Sequence, residues 1–575
     1  MNCIARGTAR SCPVVIALVL LIATLAPLEK AGAADPSEHL NEIEPAKPGF
    51  LPDRPDGLFQ LPPVVPETPA TPLPRGGPTV HVAQIAFRGN TVFPQSELDQ
   101  LAAPYVGRSL TAADLEDLRR SITQHYIDAG YINSGAIYGE GAFEGETLLV
   151  TVVEGHLGAI RLAGLEGLNP RYLTSRLEGG EAALNIDALR ERFQLLLSDP
   201  LIAQMNARLV PGSVLGEADL DIDVTRAAPY QLSAYFDNYR PPSIGAEAYG
   251  LRGSARNLTG QGDLLEITGE VPVEGGGVFG GSIHWRMPII QPSTQLILQY
   301  DHGDSAVTEE PVSILGIKST LISEGIGVEQ TLWDTLTQHL SLSILRFDRE
   351  NRTSLLGQPF SFIPGEPNGD TVAPAWRLVQ DYSYRTTSQV LALRSTFSFV
   401  KDNEEYSTQL PPTVEPDRDY SIWLGQAQYA RQVLDNGAQV VVRATVQATR
   451  SHLLPLDAMT IGGDATVRGY RENQLLSDNG QILNVEFNYP VLRDPRDALE
   501  VSLIPFYDIG HGRDLGQSGL TLSALGLAAQ LHWQGLQFDL SKGYRLVYPA
   551  ALVTGRGNLQ DRGIYFQLQY TVLAH

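Results

Sequence analysis

The sequence from Tyr230 to its end consists of segments of about ten residues in which apolar and polar side chains alternate. In one segment, Leu483 and Val485 alternate with Asn484 and Glu486, and Gly, Pro, Asn and Asp separate the segments. A period of two residues is typical of strands with one apolar face, so the region predicts about 16 strands. Such strands form either half-buried soluble sheets or a closed barrel with lipid outside and water inside.

The N-terminal segment has the pattern of a secretory signal peptide. Arg6 and Arg10 precede an apolar run at 14–22, and a site of small residues ends at Ala33. The run is shorter than the roughly 20 residues that a spanning helix needs, which disfavours the alternative of a membrane anchor. Residues 1–33 are therefore predicted to be a cleaved signal peptide.

Cysteine usage and charge exclude several classes of site and partner. Both cysteines, Cys3 and Cys12, lie in the predicted signal peptide, so the mature chain has no disulfide, thiolate metal site or cysteine nucleophile. The formal charge is −23 and no basic run occurs, so nucleic acid is not an expected partner. Export, the absence of thiols and an apolar stripe with Phe566 and Tyr570 in the last segment favour the barrel over soluble sheets.

Residues 34–78 are predicted to be an extended linker. The 44 residues from Asp35 to Pro78 include 12 prolines, a density that excludes regular helix or sheet. A short helix with a binding or plugging role is the alternative for the acidic start of this segment.

Residues 79–228 contain two copies of one unit of roughly 75 residues. Each copy begins with an alternating strand, continues into an amphipathic helix and ends in a strand, and Thr111 is the expected cap of the first helix. The apolar face of each helix carries regularly spaced residues: Leu115, Leu118 and Ile122 in the first copy, and Leu189, Phe193, Leu196 and Leu197 in the second. Each face needs a sheet to cover it, which predicts α/β domains at 79–156 and 157–228.

Enzyme motifs are absent from the sequence. We find no GxSxG, HExxH, GxxxxGK[ST] or CxxC pattern, so no catalytic residue, cofactor or metal site is predicted. His511 lies near Asp508 and Asp514, a pattern more typical of a solvated loop residue than of a catalytic or metal site. A barrel hydrolase, as a rival class, would need a Ser–His pair on adjacent strands that the sequence does not identify.

Two segments of the C-terminal region have unusual compositions. IGGDATVRGYRENQL, from Ile461, is too polar and glycine-rich for a lipid-facing strand and predicts a loop at about 456–478. In FYDIG, parity places Phe506, Asp508 and Gly510 on the polar, lumenal face of a strand. A glycine two residues from a carboxylate leaves room for another backbone or a long side chain.

VRGY in a loop after the eleventh strand, with F-x-D-x-G on the thirteenth, resembles the outer-membrane transporters of two-partner secretion. This is the TpsB or hemolysin-activator family of ShlB/FhaC/HecB type, and the resemblance covers nearly the whole mature chain. It implies an α+β part followed by an all-β part. These are two periplasmic polypeptide-transport-associated (POTRA) domains of β-α-α-β-β order and a 16-stranded antiparallel transmembrane β-barrel at 229–575 in the bacterial outer membrane.

The resemblance also implies function and partners. The chain is expected to recognise a large hemolysin- or adhesin-like exoprotein with an N-terminal two-partner secretion domain, and to translocate it from periplasm to cell surface without catalysis. Other implied partners are outer-membrane lipid and, during biogenesis, the barrel-assembly machinery. A barrel-assembly insertase of the same superfamily is the alternative, disfavoured by two repeats and the linker, and a passive porin would leave the periplasmic module without a role.

Strand addition to a sheet edge is the expected mode of capture. The last strand of the second repeat, with Leu220, Ile222 and Val224 alternating along it, is the expected docking edge.

The resemblance also implies roles for the residues of the VRGY loop motif. In the family the loop folds back into the barrel, so Arg468 is expected to pair with Asp508, with Gly469 in a tight turn and Val467 and Tyr470 packing the loop in place. A guanidinium in a partly desolvated lumen needs a carboxylate partner, which makes the pair physically reasonable. The alternative is a solvated arginine on an external loop.

Overall fold

The computed structural model describes residues 50, 59–60, 78–180, 183–274, 278–363, 368–401, 416–494, 496–549 and 557–574. The predicted signal peptide and the acidic start of the linker lie outside the described residues. The chain divides into two compact units. One consists of Pro52–Pro229 with Thr259–Gly262, and the other consists mainly of Tyr230–Leu258 and Asp263–His575. Within the described ranges, no helix has the length and apolar character to cross a bilayer.

Strand β1 (Phe59–Gln60) lies in the proline-rich linker and pairs in parallel with a strand of the second repeat. The pairing joins Phe59 to Ala207 and Gln60 to Arg208. The expectation that the linker contains no regular structure is therefore wrong at these two residues. They lie in the proline-free run 56–61, where each residue keeps the backbone N–H that proline lacks.

The first repeat folds as a sheet covered by two helices around one apolar core. Its elements are β2 (Val80–Val82), β3 (Gln84–Arg88), α1 (Gln95–Ala102), β4 (Arg108–Leu110), α2 (Ala112–Asp128), β5 (Gly135–Ile137), β6 (Phe143–Glu144) and β7 (Thr147–Val153). Strand β7 lies between β3 and β5, and β2 pairs with β4. Helix α2 begins after Thr111, which forms a capping box with Asp114, and it buries Leu118 and Ile122 in the core.

A carboxylate ties the end of β7 to the segment after β3. Glu154 accepts hydrogen bonds from the hydroxyl of Thr91, from the backbone N–H groups of Thr91 (2.7 Å) and Val92 (2.9 Å) and from the hydroxyl of Tyr126 (2.8 Å). Burial raises the pKa of Glu154, but these hydrogen bonds lower it by more, so its pKa lies below the usual value. The folded state therefore gains stability from the ionised form.

We expect Glu154→Gln to destabilise the first repeat by about 1–3 kcal/mol at pH 7, because two backbone donors lose a charged acceptor. A lowered pKa contributes stability above the ordinary glutamate pKa and loses it as the pH falls through the folded value. The difference between variant and wild type should therefore shrink below about pH 4. Amide hydrogen exchange of 79–156 in the full chain measures it, with the exposed Glu146→Gln as control. Equal exchange in both variants would contradict the assignment.

The second repeat has the predicted β-α-α-β-β order, without the additional short strands β2, β4 and β6 of the first repeat. Its elements are β8 (His156–Ala163), α3 (Arg171–Leu177), α4 (Ile186–Leu197), β9 (Ile202–Pro211) and β10 (Glu217–Arg226). The order of the sheet is β1-β9-β10-β8. Helix α4 begins after the Asn185 cap and buries Leu189, Phe193 and Leu196, as their spacing predicted.

Strand β10 does not offer the free edge that we expected. It pairs with β9 on one side and with β8 on the other. Leu220, Ile222 and Val224 lie in the core, with exposed fractions of 0%, 2% and 6%. Their alternation shows only that one face of the strand is buried against helices. A central strand has this pattern as readily as an edge strand, so the pattern does not identify an edge. The assignment of these residues to an exposed docking edge is therefore wrong.

The C-terminal unit is a closed antiparallel barrel. Its strands, with four short ones in the loops, are β11 (Tyr230–Asp237), β12 (Ala248–Arg256), β13 (Leu264–Pro272), β14 (Gly280–Pro288), β15 (Thr294–Ala306), β16 (Lys318–Asp334), β17 (Gln338–Leu355), β18 (Gln358–Pro359), β19 (Asp370–Val372), β20 (Ala375–Arg385), β21 (Gln389–Lys401), β22 (Asp419–Gln432), β23 (Gln439–Thr449), β24 (Met459–Ile461), β25 (Leu475–Ser477), β26 (Asn479–Asp494), β27 (Leu499–Arg513), β28 (Leu520–Trp533), β29 (Leu536–Arg545) and β30 (Ile564–Ala574). Without the short strands β18, β19, β24 and β25, sixteen strands form the wall, and β11 closes it by pairing with β30. The predicted 16-stranded barrel is confirmed.

The two faces of the barrel wall differ as the alternation predicted. Leu483, Tyr507 and Leu525 face outward with exposed fractions of 39%, 37% and 54%. Asn484 and Asp508, which are partners in adjacent strands, face inward and are buried. Rows of exposed large apolar side chains are unfavourable in water and favourable in lipid, so the outer face is a lipid-facing surface.

Candidate functional site inside the barrel

The loop between the eleventh and twelfth barrel strands, residues 450–478, folds against the inner faces of the wall strands. We call it the inner loop. Its stem is the hairpin of β24 and β25, in which Met459 pairs with Ser477 and Ile461 with Leu475. The segment 462–474 forms the tip and carries the VRGY motif. The sequence predicted a loop here, and the structure adds a short hairpin that orients its tip.

Arg468 at the tip lies on Asp508 of β27. Its Nε is 2.8 Å from Oδ2 and its Nη2 is 2.8 Å from Oδ1, so the contact is bidentate. The backbone N–H of Arg468 also donates to Oδ2 at 3.1 Å. The two side chains are 6% and 0% exposed. Such a buried, fork-shaped pair combines a strong charge-assisted interaction with a fixed geometry.

Three further residues complete the surroundings of this pair. Glu486 accepts from Nη1 of Arg468 at 2.8 Å, and Asn484 donates to Asp508 at 2.8 Å. The ring of Phe506 lies under the guanidinium, with its centroid 3.5 Å from Cζ. The F-x-D-x-G motif thus supplies a carboxylate and an aromatic face to one arginine. The sequence analysis placed Asn484 and Glu486 on the lumenal face but gave them no role.

The other motif residues bring the loop backbone close to the wall. Val467 is buried, and a Cβ added to Gly510 would lie 2.9 Å from its Cγ2 and 2.6 Å from Cγ2 of Ile461. Tyr470 donates to the carbonyl oxygens of Ser523 and Val547. Gly510 therefore provides the space that parity and residue size indicated, although apolar side chains rather than the arginine use it.

Gly469 has a φ of +102°, which an L-residue with a side chain rarely adopts. Its backbone lies against Gly543 of β29. A Cβ added to Gly543 would lie 2.6 Å from the carbonyl carbon of Arg468 and 2.6 Å from the nitrogen of Gly469. Because both atoms belong to the backbone, no rotamer change can relieve this contact.

We expect Gly543→Ala to displace the loop tip while the barrel still closes. Trypsin cleaves after arginine, and the burial of Arg468 should protect the wild-type tip in detergent. The variant should be cut at the tip about tenfold faster, since cleavage follows the population of the open form. Gly253→Ala is the matched control, because its Cβ would meet no atom closer than 3.9 Å. Unchanged protection would show that the tip is not seated on Gly543.

The sequence analysis missed Arg471, which follows the VRGY motif directly. Its guanidinium contacts Glu309, between β15 and β16, at 2.8 Å and 2.9 Å, and Asp561, between β29 and β30, at 2.6 Å and 3.0 Å. The side chain of Asp561 is 3% exposed. One arginine therefore connects the inner loop to two other loops. The sequence does show a second arginine close to the arginine of the motif. Its partners could not be identified from the sequence, because they are 162 and 90 residues away.

A cavity of about 200 Å³ lies beside the inner loop. Arg377, Arg394 and Arg443 line it together with Glu329 and Asp381. Charged groups on an inner wall fit a water-filled lumen rather than an apolar core.

Two POTRA-type repeats, a closed 16-stranded barrel and an arginine-bearing loop inside it define an outer-membrane barrel of the POTRA-containing superfamily. The comparisons narrow this class. The model of the POTRA domain, ShlB-type, matches residues 80–155, and that of the haemolysin secretion/activation protein ShlB/FhaC/HecB matches residues 216–532, more than half of the chain. The chain belongs to the ShlB/FhaC/HecB family of haemolysin secretion and activation proteins.

Characterised relatives and solved structures agree with this assignment. The chain is 22% identical over 442 residues to the heme/hemopexin transporter protein HuxB of Haemophilus influenzae strain 86-028NP, covering 75% of each chain. It is 24% identical over 447 residues to the outer membrane transporter CdiB of Escherichia coli, covering 74% of this chain and 72% of the relative. The structure of CdiB from Escherichia coli shares the fold with a TM-score of 0.68 at 20% identity, over 95% of this chain and 99% of that one.

BamA from Haemophilus ducreyi lacking POTRA domains 1–3 is more distant in structure. Its TM-score is 0.50 at 12% identity, over 86% of this chain and 100% of that one.

The family assignment confirms the predicted function, which is secretion of a partner exoprotein across the outer membrane, and favours it over the insertase alternative. Family members are transporters, and their POTRA domains lie in the periplasm.

Proposed function

We propose that the chain captures an unfolded exoprotein on its POTRA domains and conducts it through the barrel past the inner loop, which the pair of Arg468 and Asp508 holds in place. The main support for this proposal is that Arg468 makes three hydrogen bonds to the fully buried carboxylate of Asp508. A buried charge pair that loses one partner is strongly destabilised, so the pair acts as a strong and specific fastening. Val467, Gly469 and Tyr470 support it by packing the tip.

The finer assignments belong to the same proposal. The exoprotein is of hemolysin or adhesin type and carries an N-terminal secretion domain, and the barrel reaches the membrane with the help of the assembly machinery. The domain boundaries are a signal peptide at 1–33, a linker at 34–78, POTRA domains at 79–156 and 157–228, and the barrel at 229–575. The family resemblance, the repeat pattern and the motif residues support these assignments.

The corrected docking edge is β3 of the first repeat. Strand β3 pairs in parallel with β7 and, among the described residues, with no strand on its other side. A groove lies between this strand and helix α1, and it is lined by Ile85, Phe87, Ala102 and Val106 together with the polar residues Gln84, Gln95 and Asp99. An extended exoprotein segment that adds to β3 gains backbone hydrogen bonds and places side chains in the groove. An unpaired edge and a groove of mixed polarity occur together there.

Site-specific cross-linking tests this docking edge. The predicted mature chain has no cysteine, so a thiol-linked photo-cross-linker can be placed uniquely. Gln84 is an exposed residue of β3. We expect Gln84→Cys to cross-link to the N-terminal domain of the exoprotein. Ala159→Cys, on the exposed edge strand β8 of the second repeat, should give little product. Product at Ala159→Cys with none at Gln84→Cys would place docking on the second repeat instead.

A further inference from the structure

The first limb of the inner loop is attached to the barrel wall separately from the VRGY tip. Asp457 lies eleven residues before Arg468, in a short 3-10 turn at Pro455–Asp457. Both of its carboxylate oxygens contact Arg349 of β17, at 2.7 Å from Nη1 and 2.9 Å from Nη2. Tyr420 of β22 donates its hydroxyl to the same carboxylate at 2.5 Å. The family motifs that placed Arg468 and Asp508 do not include these residues.

This contact is buried as deeply as the one at the tip. The side chains of Arg349 and Asp457 are 2% and 6% exposed. Arg349 also donates from Nε to the carbonyl oxygen of Ala373 at 3.2 Å, and Gln447 donates to the carbonyl oxygen of Asp457 at 3.0 Å. A bidentate pair with its remaining groups bonded is favourable even at low dielectric, whereas removal of one partner leaves a costly buried charge.

Apolar packing supports the same limb. Leu453, Leu454 and Leu456 of the inner loop belong to one cluster with residues of the wall strands. The wall members include Leu345, Phe347, Ala375, Val400, Tyr420 and Ile422. A wall that faces water has no need of such a cluster, so the loop limb covers an apolar patch that would otherwise be exposed in the lumen.

The two attachments involve different strands of the barrel wall. Counting the sixteen wall strands in order, β17 is the seventh, β22 the tenth and β27 the thirteenth. The first limb is thus bonded to the seventh and tenth strands and the tip to the thirteenth, which lies six strands from β17 and three from β22. The inner loop is therefore fastened to the wall at two separate points.

We propose that Arg349, Asp457 and Tyr420 form a second anchor of the inner loop, and that breaking the Arg468–Asp508 pair alone releases only the tip. The loop then turns about the second anchor instead of leaving the lumen as one body. Asp457 is accordingly a positioning residue that limits how far the loop moves. This inference deepens the proposed function, but its test requires no exoprotein and can fail independently of transport.

Thiol labelling of the full chain in detergent tests the second anchor. Leu454→Cys reports on the first limb and Val467→Cys on the tip, and each is the only thiol of the predicted mature chain. Both native side chains are buried. We expect Asp457→Asn to speed maleimide labelling at position 454 at least about tenfold and at position 467 less than about threefold, because labelling follows local opening. Asp508→Asn should have the reverse effect.

Matched variants keep the test decisive. Asp348→Asn removes one partner of an ion pair on the same strand as Arg349, but its side chain is 64% exposed, so it should leave both labelling rates unchanged. Tyr420→Phe removes one hydrogen bond and keeps both charges, and it should speed labelling at position 454 by about threefold. Heat-modifiable migration checks that each barrel is closed. Unchanged labelling at position 454 in Asp457→Asn, or parallel acceleration at both positions in Asp457→Asn or Asp508→Asn, would overturn the proposal.

Discussion

Replacement of Asp508 with arginine is expected to lower the amount of exoprotein at the cell surface at least about tenfold. The change puts a cation where Arg468 now makes three hydrogen bonds, in a site where the native carboxylate is 0% exposed. Loss of one partner of a buried pair costs about 3–5 kcal/mol, which shifts the docked state of the loop by about 100-fold or more. Quantitative blotting of surface exoprotein, normalised to folded transporter, measures the effect.

Asp348→Arg is the control for this reversal. It makes the same chemical change beside Arg346 on β17, where the two side chains are 64% and 33% exposed. An exposed pair contributes about 0–1 kcal/mol, so secretion should stay within about twofold of wild type. Equal secretion by the Asp508 and Asp348 variants would remove the buried pair from the mechanism.

A charge swap at this pair should not restore secretion. Asp508 also accepts from the backbone N–H of Arg468 and from Asn484, and the guanidinium lies on the ring of Phe506. Arg468→Asp with Asp508→Arg moves the cation away from that ring and from Glu486, and it removes the acceptor of the backbone N–H. We expect the double variant to secrete no better than Asp508→Arg.

Arg471→Glu is expected to lower secretion about tenfold, and here a charge swap should restore much of it. The variant places a third carboxylate beside Glu309 and Asp561, where like charges repel in a half-buried setting. Adding Asp561→Arg returns one cation between two carboxylates. The contacts of Arg471 are side chain to side chain. Asp561 also accepts the backbone N–H of Asn558 at 3.2 Å, and the swap loses that bond, so the rescue should be partial.

Surface exoprotein in the single and double variants measures this rescue, and Asp561→Arg alone should be as defective as Arg471→Glu. If the double variant secretes less than either single variant, the pairing of Arg471 with Asp561 is not what the loop depends on. The contrast between a rescued pair and a pair that cannot be rescued separates a charge contact from a fixed geometry.

Local patterns were sufficient for most of the fold. Alternation has a period of two residues and helical spacing a period of 3.6, so the faces of β27 and helix α4 could be assigned from the spacing of their polar and apolar residues. The cap at Thr111 has a local signature of two residues, which the structure reproduces. Parity also placed Phe506, Asp508 and Gly510 on the inner face of the wall.

Features that depend on distant pairing were not visible in the sequence. The pattern of Leu220, Ile222 and Val224 gives their face but not whether β10 has one neighbour or two, since strand order is a property of the whole sheet. The charged partners of Arg471 and Asp457 lie at least 90 residues away, Tyr420 lies 37 residues from Asp457, and no periodicity connects any of them. The pairing of Arg468 with Asp508 was expected from family resemblance, because residue spacing alone does not identify contacts.

Single-channel conductance in planar bilayers tests most directly the claim that the inner loop occupies the lumen and is fastened there by Arg468. The account predicts small and infrequent openings for the wild type and for Asp348→Arg. It predicts openings at least about tenfold more frequent for Asp508→Arg, because the tip then leaves its site. Equal opening frequency and conductance in all three proteins would contradict it.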